Sequence, residues 1–386
     1  MTVIRVLHPI TRLIVGGAQE NTMFTAALLD KSKFQTEVLS GPQTGSEGSL
    51  IEEVRERGVT LTILPELVRQ VNPVLDLVAL WKLYRYIRSS RFTIVHTHSS
   101  KAGILGRIAA RIAGVPVIVH TVHGWSFHDR MSKSTRLAYI LLERLTALFS
   151  RALIVVAHQD IEKGLQEKIG HREQYHLIRS AIPLEEFDPI HIDPASIRRE
   201  LGIPLDVPVV GNVGRFSEQK NPLEWVSIAA KVGQVLHHCY FLLVGDGPLR
   251  LEVEYKLKQE GLMDRCVLTG LRRDVPRLIS TMDVFLLTSL WEGLPRVIPQ
   301  SMAMQVPVVA YRVDGTIEAI EDGVTGYLCN PGDINEMASS CIKLLSDPNS
   351  RGEMGRRGRE FALREFDVRE MVNQIAHLYT DLLKSE

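Results

Sequence analysis

Short apolar runs bounded by turn residues recur along the whole chain, and a stretch of helical periodicity follows most of them. In the first half TVIRVLHP, TEVLS, TLTIL, FTIVHTH, VPVIVHTVH and ALIVVA read as strands, rich in the β-branched residues that suit a pleated, buried surface. Helical stretches such as Ala18 to Leu29 and Leu77 to Ser89 lie between them. The second half repeats the scheme with VPVVGNVG, CYFLLVG, RCVLTG, DVFLLTS and VPVVAYR. Alternation of strand and helix predicts an α/β fold with parallel sheets. At 386 residues the chain exceeds one ordinary core, so two domains are expected. Five of the 18 prolines fall between Pro183 and Pro208, which marks that stretch as the hinge. The expectation is two Rossmann-like domains facing each other across a cleft, residues 1–182 and 183–365.

Composition narrows the function classes. Lys and Arg number 45 and so do Asp and Glu, so no global field selects nucleic acid as partner. The four cysteines are widely spaced and form no CxxC pair, which points to a reducing compartment and away from a thiolate zinc site. The start, MTVIRVLHPI, runs directly into a strand without a signal-peptide layout, and the longest apolar stretch, LAYILLERLTALF, is broken by Glu143 and Arg144. A cytoplasmic protein is expected, with any membrane contact peripheral and at the inner face. The helix LVALWKLYRYIRSSR combines Trp81 and Tyr84 with Lys82, Arg85, Arg88 and Arg91. It suits an anionic membrane surface, or, more plainly, it presents a solvated basic face on a packed helix.

The most informative chemistry lies at Glu292-Gly293-Leu294-Pro295, directly after the apolar run VFLLTSLW. An acid is thereby placed on the turn where the carboxyl edge of a parallel sheet meets a helix, the edge at which open α/β sheets bind ligands. Gln300 follows eight positions on. Three turns of this half carry a proline suited to a first helical position: Asn221-Pro222, Gly247-Pro248 and Leu294-Pro295. The first belongs to GNVGRFSEQKNP, where Gly211 and Gly214 allow close backbone approach and Arg215 and Lys220 bring two cations to one loop, a set that suits a diphosphate. Neither GxGxxG nor GxxxxGK[ST] occurs. In the first half, Gly16-Gly17 opens a helix after the first strand. Five histidines lie between His96 and His128. His96 and His98 would share a strand face, and a metal site there lacks a carboxylate cluster. His123, in the turn VHGWSF, is the catalytic or sugar-contacting candidate, while His96 and His98 are expected to hold the neighbouring loop by hydrogen bonds.

These residues resemble a family. The pieces GGAQ (16–19), HTHSSKAGILGRIAARIAGVPVIVHTVHG (96–124), GRFSEQKNP (214–222), GDGPLR (245–250), EGLPRVIPQSMA (292–303) and DGTIEAIEDGVTGYL (314–328) are similar, in this order, to the family 4 retaining glycosyltransferases of the GT-B fold. The final stretch, within residues 366–386, is like the helix with which the family returns to its first domain. The resemblance implies a sugar transfer from a nucleotide-diphosphate donor, a UDP-sugar favoured and a GDP-sugar second, to a glycan or lipid-linked acceptor in polysaccharide assembly. It implies no metal and no other cofactor. Arg215 and Lys220 would hold the diphosphate with help from Gly16, Gly17 and Gly214. Glu292, Gly293 and Leu294 would bind the transferred sugar, and His123 would stand near its anomeric carbon. Acceptor choice is expected in the loops 41–49 and 125–133. Two departures stand out: Gln300 replaces a Glu that accepts from the nucleotide ribose, and Asp314-Gly315 replaces a glycine pair. An epimerase or hydrolase of nucleotide sugars, or a transferase reduced to a binding protein, are the rival readings.

Overall fold

The computed structural model describes residues 3–43, 45, 47–128 and 130–384. Residues 44 and 46 of the loop 41–49, residue 129 of the loop 125–133 and residues 385–386 of the closing stretch lie outside the described residues. The chain divides into two compact units, Met1–Ser180 with Val368–Glu386, and Ala181–Asp367.

The first unit runs β1 (Ile4–Ile10), α1 (Gly17–Leu28), β2 (Phe34–Ser40), α2 (Ile51–Glu56), β3 (Thr60–Ile63) and α3 (Pro73–Ser90). It continues with β4 (Ile94–His98), α4 (Ser100–Ala113), β5 (Val117–Val122), α5 (Lys133–Ala147), β6 (Ala152–Val155), α6 (His158–Gln166) and β7 (Tyr175–Leu177). The second unit runs α7 (Pro194–Glu200), β8 (Val209–Val213), α8 (Pro222–Val235), β9 (Tyr240–Val244), α9 (Arg250–Gln259), β10 (Cys266–Gly270) and α10 (Val275–Ile279). It ends with β11 (Val284–Leu287), α11 (Val297–Ala303), β12 (Val308–Tyr311), α12 (Thr316–Ala319), β13 (Gly326–Cys329), α13 (Ile334–Ser346) and α14 (Pro348–Glu365). The last helix, α15 (Val368–Lys384), belongs to the first unit.

Both sheets are parallel and doubly wound. Their orders are β3-β2-β1-β4-β5-β6-β7 and β10-β9-β8-β11-β12-β13. The strand order reverses between β1 and β4 in one sheet and between β8 and β11 in the other, and a crevice opens beyond the carboxyl ends of the strands at such a switch point. Local chemistry sets the helix starts: Asn72 Oδ1 accepts from Leu75 N at 3.1 Å ahead of Pro73, and Ser132 Oγ accepts from Thr135 N at 3.2 Å. In the second unit Trp225 and Phe241 pack in the core between sheet and helices, and Trp225 Nε1 donates to Leu286 O at 3.1 Å.

Two of the three prolines expected to open helices do not. Pro222 is the first residue of α8, but α9 starts at Arg250 and α11 at Val297, each two residues beyond its proline. The turns after β9 and β11 thus stay irregular for longer than the proline alone suggests. The turn after β9 is held tightly by Gly245, at φ 135°, where a Cβ would lie 2.0 Å from Gly214 O. Only glycine permits that approach. The four cysteines are buried and free. Among the described residues no helix is long and apolar enough to cross a membrane.

Candidate functional site

In the second unit the switch point lies between β8 and β11, and the candidate residues leave the carboxyl ends of these two strands. The loop after β8 passes Gly214, half-buried Arg215 and a single 3-10 turn, Glu218–Lys220, before Asn221 takes a left-handed conformation (φ 50°) and α8 begins. The turn after β11 is stitched to this loop by three donors. Thr288 Oγ1 donates to Lys220 O at 2.9 Å or to Asn221 O at 3.1 Å, Leu290 N donates to Gln219 O at 2.8 Å, and Gln219 Nε2 donates to Trp291 O at 2.9 Å. Those bonds bring together side chains 72 positions apart: Lys220 Nζ donates to Glu292 Oε1. The carboxylate is the more enclosed partner, 8% exposed against 23% for the lysine.

Asp314 completes this turn. Its Oδ2 accepts from Glu292 N at 2.9 Å, and its own backbone sits at φ 38°, in the left-handed region that glycine favours. Aspartate tolerates this region better than most side chains, and here the conformation points a carboxylate at the Glu292 amide. Sequence comparison with the family pattern marks Asp314 as a departure; its bond to Glu292 needs the structure. Gly293 and Leu294 are buried behind Glu292, and Gln300 is buried within α11 at 8% exposure.

The first unit assembles a line of histidines. His8 on β1, His96 and His98 on β4, and His123 after β5 lie side by side, because β1 and β5 flank β4. His8 Nδ1 and His98 Nε2 are hydrogen-bonded at 3.1 Å, and His98 Nδ1 and His123 Nε2 at 3.3 Å. Burial holds His98 neutral by lowering its pKa far below the ordinary value, and it holds His8 down at about 3. A neutral imidazole has one N–H and one lone pair, so His98 accepts from one neighbour and donates to the other. Among the described residues the buried Nε2 of His8 has no hydrogen-bond partner. An orphaned lone pair is tolerated more readily than an orphaned N–H, so the proton of His8 sits on Nδ1 and donation runs from His8 through His98 to His123. When neutral, His123 then carries its proton on Nδ1.

His96 takes a different part from the one expected. It bonds Tyr379 Oη of α15 at 2.5 Å through Nδ1 and Thr121 Oγ1 at 2.6 Å through Nε2, tying the closing helix to the sheet, whereas His98 holds the His123 turn. One ring nitrogen from each of His8, His96 and His98 falls within 4.8 Å of the others. Both nitrogens of His96 and both of His98 are engaged as described, so an ion held there would break these bonds. Gly16 has an extended φ of 174°, and a Cβ on it would meet only the flexible end of Gln19. The turn into α1 therefore does not itself demand glycine at this position.

Comparison with known proteins agrees with this layout. Residues 16–180 match the model of the glycosyl transferase 4-like domain, and residues 193–361 match glycosyl transferases group 1. The UDP-Gal:alpha-D-GlcNAc-diphosphoundecaprenol alpha-1,3-galactosyltransferase of Escherichia coli is 30% identical over 387 residues, covering 98% of this chain and 97% of its own. Among solved structures, HepE from Anabaena in complex with UDP and glucose superposes with a TM-score of 0.84 at 21% identity, covering 98% of this chain and all of that one. Sucrose-phosphate synthase from Thermosynechococcus elongatus gives 0.84 at 21% identity, over 99% of this chain and all of its own. Two doubly wound parallel units, matched end to end by such relatives, identify the chain as a member of the family 4 glycosyltransferases of the GT-B fold.

Proposed function

We propose that the chain is a retaining, metal-independent hexosyltransferase that moves a sugar from a nucleotide diphosphate, a UDP-sugar first and a GDP-sugar second, to a glycan or lipid-linked acceptor. The observation that carries this reading is the junction of Lys220 with Glu292 at the β8–β11 switch point, beside the loop of Gly214 and Arg215. Here the carboxylate neutralises the ammonium. A donor diphosphate offers Lys220 and Arg215 a second anionic partner, which leaves Glu292 able to accept from sugar hydroxyls. Gly293 and Leu294 back this turn, Gly16 and Gly17 leave the start of α1 open for a close approach, and Gln300 bonds the ribose without charge assistance.

The chemistry requires such a set. Breaking the bond to the sugar moves negative charge onto the leaving diphosphate and positive charge onto the ring. Fixed cations near the phosphates therefore stabilise the transition state more than the ground state. In a front-face displacement the departing phosphate helps deprotonate the acceptor. The named donor and acceptor of the E. coli relative, and the UDP in the HepE complex, support the choice of ligand class.

A thermal-shift panel tests it. A ligand that binds only the folded state raises its stability by RT ln(1 + [L]/Kd), about 2.7 kcal/mol at a hundredfold excess over Kd. UDP-sugars are expected to raise the melting temperature without added metal, GDP-sugars less and ADP-sugars least. No shift with any of them, or a shift only with a divalent ion present, overturns the reading.

A further inference from the structure

The helix α5 is built inside out. Its sequence, KSTRLAYILLERLTA, reads as a helix that should bury leucines and expose its charges. Instead Glu143 is 1% exposed and ion-paired to buried Arg107 at 2.6 Å, while Leu137, Leu141 and Leu145 stand in solvent and Leu148, just past the helix end, is 72% exposed. Val74, Leu77 and Trp81 of α3 are exposed in the same way. Between these helices runs a groove of about 920 Å³, floored by Ile104, Leu105 and Ile108 of α4 and walled by Ala138, Tyr139 and Leu142 of α5. Its size lies in the range of ligand pockets, and an uncovered apolar face of this kind marks a binding surface.

The two ends of the groove differ. At the sheet it meets Thr11, Arg12, Ser99, Ser100 and Lys101, the residues just past the carboxyl ends of β1 and β4 at the switch point. There Thr11 Oγ1 and Ser99 Oγ are hydrogen-bonded at 2.8 Å, and Thr11 Oγ1 also accepts from Ala102 N in the first turn of α4 at 3.1 Å. Arg12 and Lys101 are held ready by Glu47 at 3.2 Å and Asp76 at 2.6 Å. The surroundings are basic as well: from Arg69 to Ala147 there are 12 Lys and Arg against 3 Asp and Glu, in a chain whose total charge is zero. An apolar channel, a hydroxyl- and cation-lined inner end and a positive field fit one ligand chemistry, a long apolar chain carrying a phosphate.

We propose that this groove binds the apolar chain and adjoining phosphate of a lipid-linked acceptor, with the chain along Ile104, Ile108, Ala138 and Leu142 and the phosphate at Thr11, Arg12 and Lys101. The identity of that amphiphile as acceptor rests on the function proposed above; the groove itself does not. The test titrates the full chain with farnesyl phosphate by calorimetry, alongside inorganic phosphate and vesicles of phosphatidylglycerol. The variants are Ala138→Glu and Leu142→Glu, both at exposed positions, with circular dichroism confirming that they fold. Farnesyl phosphate is expected to bind the wild type, inorganic phosphate at tenfold higher concentration is expected not to displace it, and either variant is expected to lose tenfold or more in affinity. Folded variants that bind as the wild type does overturn the proposal. So does displacement by inorganic phosphate, which would reduce the site to an anion hole. So do vesicles that bind while farnesyl phosphate does not, which would make this face a general membrane contact. UDP-sugar thermal shifts on the same samples separate the two readings: farnesyl phosphate binding without any nucleotide response sustains the groove and removes the proposed donor site.

Discussion

Lys220 is the residue on which the proposed donor site turns. Its ammonium is paired to Glu292, a carboxylate exposed by only 8%. Removing the cation has two effects, loss of a phosphate contact and an unpartnered, largely enclosed acid. Preorganised groups of this kind are worth about 10² to 10³ in rate. Lys220→Met is therefore expected to lower kcat/KM by at least about a hundredfold, roughly 2.7 kcal/mol, with secondary structure intact by circular dichroism; transfer within a few-fold of the wild type would exclude the diphosphate role. Gln300 is a milder case. A neutral hydrogen bond is worth about 0.5–1.5 kcal/mol and a charged one about 1.5–3. Gln300→Glu should thus shift donor affinity by no more than about tenfold in a titration, and abolished binding would remove Gln300 from the ribose. The placing of Arg215, Lys220 and Glu292 on turns just past strand ends was legible in the sequence, where glycine-flanked charges follow apolar runs. The bond between Lys220 and Glu292 was not, since it depends on β8 and β11 being neighbours. His8 went unnoticed for the same reason: it joins His98 only through the β1–β4 pairing.

Elements carry a second lesson. Strands such as β11 and β12 were readable because buried parallel strands are continuous apolar runs. β7 and β13, at the far edges of their sheets, were not readable, having only three and four residues and little apolar continuity. The proline rule worked at α8, where Asn221 turns left-handed directly before Pro222, and failed at α9 and α11, where tertiary bonds hold the turns open for two residues more. Periodicity misleads most at α5. The Glu143 that breaks its apolar run is the buried residue, drawn in by Arg107, which also donates to Gly103 O at 2.9 Å. Breaking a buried pair strands a charge and costs about 3–5 kcal/mol, whereas replacing both partners by apolar residues is often close to neutral. Chemical denaturation should therefore show Arg107→Ala losing about that much and the double variant Arg107→Met/Glu143→Leu losing distinctly less. Equal losses would show that the pair itself, rather than the stranded charge, dominates.

At the scale of the molecule, the first unit is closed by α15, whose Tyr379 reaches His96, and it encloses a set of neutral histidines. Burial lowers the pKa of His8, His96, His98 and His120, with Arg107 adding to the effect at His120. Below pH about 6.5 the unfolded chain protonates these rings while the folded chain does not, so stability is full above that pH and falls as the pH drops toward 3. Each ring that stays neutral contributes a slope of up to about 1.4 kcal/mol per pH unit. The melting temperature is expected to hold between pH 8 and 7 and to fall steeply from pH 6.5 to 5, with a shallower fall in His8→Phe. A flat profile would contradict the neutral, buried state of the cluster. The two-unit α/β plan was readable from alternation and proline clustering alone, while the return of α15 to the first unit came only through family resemblance. No local pattern encodes which sheet a terminal helix joins.

The central claim is that this chain transfers a sugar from a nucleotide diphosphate at the turn carrying Glu292. The most direct measurement is the release of UDP from a UDP-sugar in EDTA, with and without a lipid-linked glycan acceptor, by the wild type and by Glu292→Gln. The account predicts release that requires the acceptor, persists in EDTA and falls at least about a hundredfold in Glu292→Gln. Release that ignores the acceptor, stops in EDTA or survives the substitution unchanged would contradict it.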